Sequence, residues 1–132
     1  MPRFTRLGFQ IPNFTLPDVP DAALFERVAS MAGKAEESGF DTVFVMDHFY
    51  QLPMLGPAEW NMLEAYTLLG GLAARTQRAR LATLVTGNTY RNPAILAKTV
   101  TALDIVSGGR GQLGIGAGWF EPEHTAFGIE FG

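Results

Sequence analysis

Residues 42–50 read TVFVMDHFY, a run of strand-forming residues that ends on an adjacent carboxylate and imidazole. A near-continuous apolar strand of this kind is typical of a parallel sheet that is covered on both faces. In proteins built on such sheets, ligands bind beyond the carboxyl ends of the strands. The stretch therefore predicts a buried parallel strand with a site at its end, and it makes Asp47 and His48 the first candidate site residues.

The rest of the chain alternates between strand-like and helix-like segments. Predicted strands cover residues 6–11, 42–46, 80–85 and 112–116, and predicted helices cover residues 21–38, 60–75, 93–106 and 122–128. Asp21 and Asn92 are suited to cap the first and third helices, and Gly39 is suited to end the first. Because each crossover is long enough to return the chain parallel, this β-α-β-α-β-α-β order predicts an α/β protein with a parallel sheet.

Two architectures agree with this order: an open doubly wound sheet, and part of a (β/α)8 barrel of the TIM type. The doubly wound alternative has a candidate dinucleotide motif in GIGAG at residues 114–118. That fingerprint needs a third glycine three residues after the second, where this chain has Trp119. The dinucleotide interpretation is therefore rejected.

The composition is that of an ordinary globular domain. Of 132 residues, 47% are hydrophobic and 17% charged, and the net charge is −3, which argues against a nucleic-acid-binding surface. Cysteine is absent, so no disulfide or thiolate chemistry is available. Neither a signal peptide nor an apolar run of roughly 18 residues is found, so we expect a cytoplasmic protein without a membrane partner. With only two histidines, and Pro122 between Glu121 and His124, no metal site is expected.

Polar residues and glycines follow all four predicted strands. The exits read QIPN (10–13), DHF (47–49), TGNT (86–89) and GAGW (116–119), and parallel strands bring their carboxyl ends to one rim. His48 is suited to proton exchange near neutral pH, although a histidine after a strand is often only a structural residue. Asp47 could instead cap the loop backbone, and the glycines could admit a flat or phosphorylated ligand or simply end a strand. Since neighbours on a strand point to opposite faces, Asp47 and His48 are expected to contact different parts of one ligand.

Four stretches of the chain carry a family resemblance. They read LGFQIPNF (7–14), EESGFDTVFVMDHF (36–49), LATLVTGNTYRNPAILAKTVTALDIVSGGRGQLGIGAGW (81–119) and EPEHTAFGI (121–129). In this order they resemble the luciferase-like monooxygenase superfamily, in particular its branch of coenzyme F420-dependent oxidoreductases. The resemblance implies a TIM barrel with its cofactor at the C-terminal rim of the strands. Since a whole barrel has eight strands and typically about 250 residues, residues 1–132 are expected to form an N-terminal half with about four βα units, truncated relative to a whole barrel.

The resemblance also implies roles for the rim residues. His48 would lie at the reacting face as proton donor or acceptor, and Asp47 would hydrogen-bond the deazaflavin ring system of F420. A non-prolyl cis peptide would join Leu84 and Val85 against the back of the ring. The same pocket would be lined by Thr86, Gly116, Ala117 and Gly118.

Two departures from the family pattern refine the expected chemistry. Trp119 stands where the family's sugar-phosphate dehydrogenases have an acid, which leaves no second acid unless Glu121 reaches the site. Flavin-dependent monooxygenases of the superfamily tend to have a glutamate before the rim histidine. This chain has Asp47 there, which favours F420 over FMN as the cofactor.

These expectations define the functional prediction. It is an oxidoreductase that transfers a hydride between coenzyme F420 and a small organic substrate. Two alternatives remain open: an FMNH2-dependent monooxygenase, and a non-catalytic half-barrel that only associates with a partner. The expected partners are a small-molecule substrate and further copies of the chain in a homo-oligomer, because a half-barrel leaves two sheet edges unpaired.

Overall fold

The computed structural model describes residues 5–131, so residues 1–4 and 132 of the expected domain lie outside the described part. In chain order the elements are β1 (Gly8–Ile11), α1 (Asp21–Glu37), β2 (Thr42–Val45), α2 (Ala65–Ala73), β3 (Arg80–Thr83), β4 (Thr86–Gly87), α3 (Pro93–Val106), β5 (Gly111–Gln112), β6 (Ile115–Gly116) and α4 (Glu121–Phe127). Within residues 5–131, none of the helices is long and apolar enough to cross a bilayer.

Four parallel strands form the main sheet in the order β1-β2-β3-β5. The register is set by β2, in which Thr42 lies opposite Gly8 on one side and Arg80 on the other. A second, two-stranded parallel sheet joins β4 to β6, with Thr86 opposite Ile115. The predicted alternation of strands and helices and the predicted parallel sheet are therefore confirmed.

The fourth predicted strand is divided into β5 and β6, and the third ends two residues early, at Thr83, with β4 following at residues where a strand exit was predicted. The third is interrupted by a cis peptide bond between Leu84 and Val85, where the family resemblance had placed one. Before this bond, Leu84 N–H donates to the Val45 carbonyl (2.8 Å), and after it Thr86 N–H donates to the Gly114 carbonyl (2.8 Å). Because the backbone changes its hydrogen-bond partner here, β4 and β6 leave the main sheet and continue as a separate pair.

The core lies between the main sheet and the helices that cover it. Val43 and Val45 of β2 are fully buried and belong to one apolar cluster with residues of α1 and α2, including Val28 and Leu69. Phe44, between the two valines, lies outside this cluster and is only half-buried. The alternation shows that the sheet packs one face on the helices, as a half-barrel does.

The starts of α2 and α4 and the cap of α1 differ from the prediction, and α4 begins at Glu121, one residue early. Helix α2 begins at Ala65 instead of residue 60, because the Glu64 carboxylate accepts hydrogen bonds from the backbone N–H groups of Tyr66 (3.2 Å) and Thr67 (2.7 Å) and so caps the helix. Helix α1 has Pro20 at its N-cap, and Asp21 is its first residue. The predicted Asn92 cap of α3 is confirmed, since its side chain accepts from Ala94 N–H at 2.9 Å.

Glu36, near the end of α1, ties this helix to the turn before β3. Its carboxylate is buried and accepts hydrogen bonds from three successive backbone N–H groups, those of Gln77 (3.0 Å), Arg78 (2.6 Å) and Ala79 (2.6 Å). Burial raises the pKa of Glu36, but these donors outweigh burial and the net pKa is lowered from 4.5. The turn thus depends on an ionised carboxylate.

We expect Glu36→Gln to lower the free energy of unfolding by about 1–3 kcal/mol at neutral pH, because the amide is a weaker acceptor for these donors. A carboxyl whose folded pKa lies below its unfolded value stabilises the fold above the unfolded pKa, and that stabilisation is lost as pH falls through the folded pKa. The difference between the two proteins should therefore narrow below pH 4.5 in urea unfolding. Exposed Glu37→Gln is the matched control. A difference in the free energy of unfolding between wild type and Glu36→Gln that does not vary with pH would contradict the role of an ionised Glu36.

Candidate active site

A cavity opens where the carboxyl ends of β2, β3 and β4 meet the segment before α4. It is lined by Asp47, His48, Leu84, Val85, Thr86, Gly87, Tyr90, Gly118 and Trp119. Six of the eight predicted site residues are thereby brought together. Gly116 and Ala117 are not in the lining: Gly116 pairs with Gly87 in the small sheet, and Ala117 is exposed. The volume, about 150 Å³, is below the roughly 300–1,000 Å³ of typical ligand pockets.

His48 is held by a carboxylate that lies 75 residues away in the chain. Its Nδ1 is 2.9 Å from Oε2 of Glu123, and its side chain is 15% exposed while that of Glu123 is fully buried. The rings of Trp119 and Phe120 contact the imidazole edge-on, with centroids at 5.9 and 6.0 Å. Within residues 5–131, Nδ1 is the only ring nitrogen of His48 with a hydrogen-bond partner. Nε2 is therefore the nitrogen available to a ligand in the cavity that His48 lines.

Glu123 gathers four donors around one buried carboxylate. Oε1 accepts from the backbone N–H groups of Phe49 (2.5 Å) and Tyr50 (2.9 Å), and Oε2 accepts from the Tyr90 hydroxyl as well as facing His48. Burial raises the pKa of Glu123, but its hydrogen bonds from His48, Tyr90 and the backbone outweigh burial and the net pKa is lowered. Burial and the adjacent Glu123 raise the pKa of Tyr90, so its hydroxyl keeps its proton.

The acid beside His48 is thus Glu123, whereas Glu121 was the acid expected from the sequence. Glu121 is exposed at the start of α4. Positions two apart on an α-helix are rotated by about 200°, so the two glutamates lie on opposite faces of α4. Once the helix start is placed at residue 121, this rotation predicts from the sequence that the two glutamates do not share a face.

Asp47 lies beneath the cavity in a buried ion pair. It is 3% exposed, and its two oxygens accept a bidentate pair of hydrogen bonds from Arg91 (2.6 and 2.8 Å), with Gly87 N–H at 3.1 Å. Arg91 also donates to Glu64 at 2.8 Å and stacks over the Tyr66 ring at 5.1 Å. Burial raises the pKa of Asp47, and Arg91 and Gly87 oppose that rise. Its expected contact with a cofactor ring stays a prediction.

Arg91 was not predicted as a site residue. The sequence indicates it only indirectly, because a carboxylate that ends a buried strand needs a positive or hydrogen-bonding partner. Arg91 is a cation in the loop after the neighbouring strand β4.

Thr86 belongs to a buried chain of hydroxyl groups at the floor of the cavity. Its Oγ1 is 2.6 Å from the Tyr66 hydroxyl and 2.5 Å from Thr83 Oγ1, which in turn donates to the Gly114 carbonyl at 3.2 Å. Thr86 is fully buried. These contacts fix the backbone that follows the cis peptide.

His124 has a structural role in the fold. Its Nε2 is 2.7 Å from Thr89 Oγ1, its Nδ1 is 3.1 Å from the Phe120 carbonyl, and the residue is 1% exposed. Across the described part of the chain, no group of three or more histidine, aspartate and glutamate side chains is arranged to hold a metal ion.

The lining chemistry fits one face of a flat, largely apolar ring. Leu84, Val85 and Trp119 expose 46%, 42% and 57% of their surface. Gly118 has φ +81°, and a Cβ there would lie 2.8 Å from Thr89 Oγ1, so only glycine fits at this point of the wall. Among the described residues that line the cavity there is no lysine or arginine.

The fold is that of a TIM barrel, of which the described residues form a part with four βα units. The sequence profile of the luciferase-like monooxygenase family matches residues 5–132, and the chain belongs to that family. Its relatives include F420-dependent reductases and dehydrogenases as well as monooxygenases.

Three relatives illustrate this range. The chain is 37% identical over 106 residues to the F420-dependent glucose-6-phosphate dehydrogenase of Kineococcus radiotolerans, covering 80% of this chain and 30% of that protein. It is 38% identical over 111 residues to the pyrimidine monooxygenase RutA of Agrobacterium fabrum, covering 80% of this chain and 29% of that protein. The crystal structure of the monooxygenase RslO1 from Streptomyces bottropensis superimposes with a TM-score of 0.76 at 30% identity, covering 96% of this chain and 37% of that one. The chain thus spans 29–37% of the length of these three relatives.

Proposed function

We propose that this chain provides the cofactor-facing wall of a luciferase-like oxidoreductase that transfers a hydride between coenzyme F420 and a small organic substrate. The observation that carries the proposal is the placement of His48. Its imidazole is anchored through Nδ1 by buried Glu123, beside an apolar wall built on Leu84 and Val85. An ionisable group with one free nitrogen next to exposed apolar side chains suits proton exchange with a bound substrate.

Each lining residue has a distinct task in this proposal. When bound, the deazaflavin supplies the hydride chemistry. Leu84 and Val85 would pack against the ring, and Gly118 would allow close backbone approach. His48 Nε2 would take or give the substrate proton. Buried Asp47 would act with Arg91 to fix the loop that carries Gly87.

The choice of F420 over FMN rests on Asp47, since flavin monooxygenases of the superfamily tend to have glutamate before the rim histidine. The F420-dependent dehydrogenase among the relatives supports it. An FMNH2-dependent monooxygenase is the second candidate, supported by the similar identity to RutA. Trp119 replaces the acid found in the sugar-phosphate dehydrogenases, so a substrate other than a sugar phosphate is proposed.

The proposed assembly is a homo-oligomer in which strand edges pair. Within residues 5–131, β1 pairs only with β2 and β5 pairs only with β3, so each end of the sheet has a free edge. Leu113 and Ile115, beside the β5 edge, expose 47% and 57% of their surface. Two copies related by an axis parallel to the strands would place β5 of each beside β1 of the other and enlarge the cavity. The non-catalytic alternative shares this association but binds no cofactor.

The test is a titration of the purified chain with oxidised F420 and, separately, with FMN, followed by ligand fluorescence while light scattering reports the mass. We expect micromolar binding of F420, weaker binding of FMN, and the mass of two copies. Tighter binding of FMN would overturn the cofactor assignment in favour of the monooxygenase. A dimer that binds neither would support the non-catalytic half-barrel. Turnover is then assayed with a panel of alcohols, with glucose 6-phosphate as the substrate expected to fail.

A further inference from the structure

We infer that Glu123 is a positioning residue that fixes the neutral His48 imidazole in the Nδ1–H tautomer and so presents Nε2 to the cavity as a proton acceptor. Only the expected effect of Glu123 on kcat rests on the proposed function. The tautomer itself follows from the contacts of the carboxylate.

The imidazole must be the donor in the hydrogen bond between His48 and Glu123. An ionised carboxylate has acceptors only, and all of the partners of Glu123 are donors or, in the case of His48, able to become one. The hydroxyl of Tyr90 keeps its proton, because burial and the neighbouring carboxylate raise the pKa of Tyr90. The lowered pKa of Glu123 agrees with a carboxylate that carries no proton. Nδ1 of His48 therefore bears the hydrogen.

A neutral imidazole carries one N–H, so a hydrogen on Nδ1 leaves a lone pair on Nε2. Nε2 has no hydrogen-bond partner within residues 5–131 and belongs to a residue that lines the cavity. If the tautomer were reversed, the cavity would meet a donor at the same position. Glu123 thus decides whether the neutral His48 can accept a proton from a substrate.

The geometry that brings Glu123 to His48 is itself rigid. The Phe49 ring contacts the rings of Tyr90 and Phe127, with centroids 4.7 and 4.6 Å away, and the contact with Phe127 joins α4 to the loop after β2. The two backbone N–H groups on Oε1 prevent the carboxylate from rotating away. The other nearby carboxylate, Asp47, is occupied by Arg91 and Gly87, so no second acid competes for the imidazole.

The first measurement needs no variant. In the ¹⁵N-labelled 132-residue chain, long-range ¹H–¹⁵N correlation spectra distinguish the protonated from the unprotonated ring nitrogen of each histidine at a pH where both are neutral. We expect His48 to show hydrogen on Nδ1. Hydrogen on Nε2 of His48 would overturn the inference.

The second measurement is Glu123→Gln, with Glu121→Gln as the matched control on the same helix. In the variant the amide oxygen is needed by the N–H groups of Phe49 and Tyr50, so the amide NH2 faces Nδ1 of His48 and should reverse the tautomer. With F420 and a substrate that the wild type turns over, kcat should fall about 10²-fold or more, with little change in the Kd for F420. Glu121→Gln should change neither the tautomer nor kcat.

The outcomes separate this inference from the proposed function. A reversed tautomer with unchanged kcat would overturn the positioning role and leave the F420 assignment standing. The expected tautomer in a wild type that neither binds nor turns over F420 would overturn the proposed function and support the role of Glu123 in fixing His48. A circular dichroism melt of each variant checks that a fall in kcat is not a loss of folded protein.

Discussion

His48→Ala is expected to lower kcat by about 10²–10⁴-fold, the range that general acid–base groups contribute. The Kd for F420 should change little, because the apolar wall of Leu84 and Val85 and the glycine at position 118 remain. The reason is that Nε2 of His48 is the free ionisable nitrogen in the cavity lining, and alanine leaves only water to exchange the proton. Steady-state kinetics and a fluorescence titration on the same preparation measure the two quantities.

His124→Gln is the control for the loss of a histidine. Both nitrogens of His124 are bonded inside the fold, so this variant should lower the melting temperature while kcat per folded molecule is retained. A His48→Ala protein with wild-type kcat would refute the role assigned to His48. A large rise in the Kd for F420 with unchanged kcat would make His48 a binding residue.

Arg91→Met is expected to cost about 3–5 kcal/mol in the free energy of unfolding, a large part of the 5–15 kcal/mol that holds a typical domain together. The substitution leaves Asp47, whose side chain is 1% exposed, without its bidentate partner. A buried carboxylate without a counter-charge must take up a proton or draw in water, and either weakens its hold on the Gly87 backbone. Urea unfolding at neutral pH measures the loss.

Arg75→Met is the matched control, because Arg75 makes a bidentate pair of the same geometry with Glu26, at 2.6 Å for both bonds, on the exposed surface. Exposed pairs contribute little, so this variant should unfold almost as the wild type does. The double variant Asp47→Asn/Arg91→Met should recover part of the loss, since it removes the buried charge. Equal destabilisation by the two arginine variants would show that burial does not increase the contribution of the Arg91–Asp47 pair to the free energy of unfolding.

The sequence predicted those parts of the fold that depend on near neighbours in the chain. The alternation of elements, the parallel β2 strand and the Asn92 cap follow from hydrophobic periodicity and from hydrogen bonds that span two or three residues. The rim also followed, because parallel strands necessarily end on one side. Asp47, His48 and Thr86 were therefore found at the cavity from strand ends alone.

Sequence patterns were insufficient where individual hydrogen bonds decided the exact bounds of an element. The start of α2 moved to Ala65 because the Glu64 carboxylate caps it there. The third predicted strand ended at Thr83 and the fourth was divided, because the backbone after Val85 pairs with β6 and no longer with the main sheet. No periodicity in LATLV distinguishes one long strand from two short ones.

By itself, then, the sequence determined the class of fold, the edge of the sheet that carries the site and the histidine in that site. Only the tertiary structure decided which groups control those residues. Glu123 lies 75 residues from His48 and Arg91 lies 44 residues from Asp47. Contacts of this kind depend on how α4 and the loop after β4 pack on the sheet. The pattern of neighbouring residues does not predict that packing. The physical reason is one of range: backbone geometry and caps act over a few residues, whereas a buried charge is stabilised by whatever partner the completed fold places within hydrogen-bond distance.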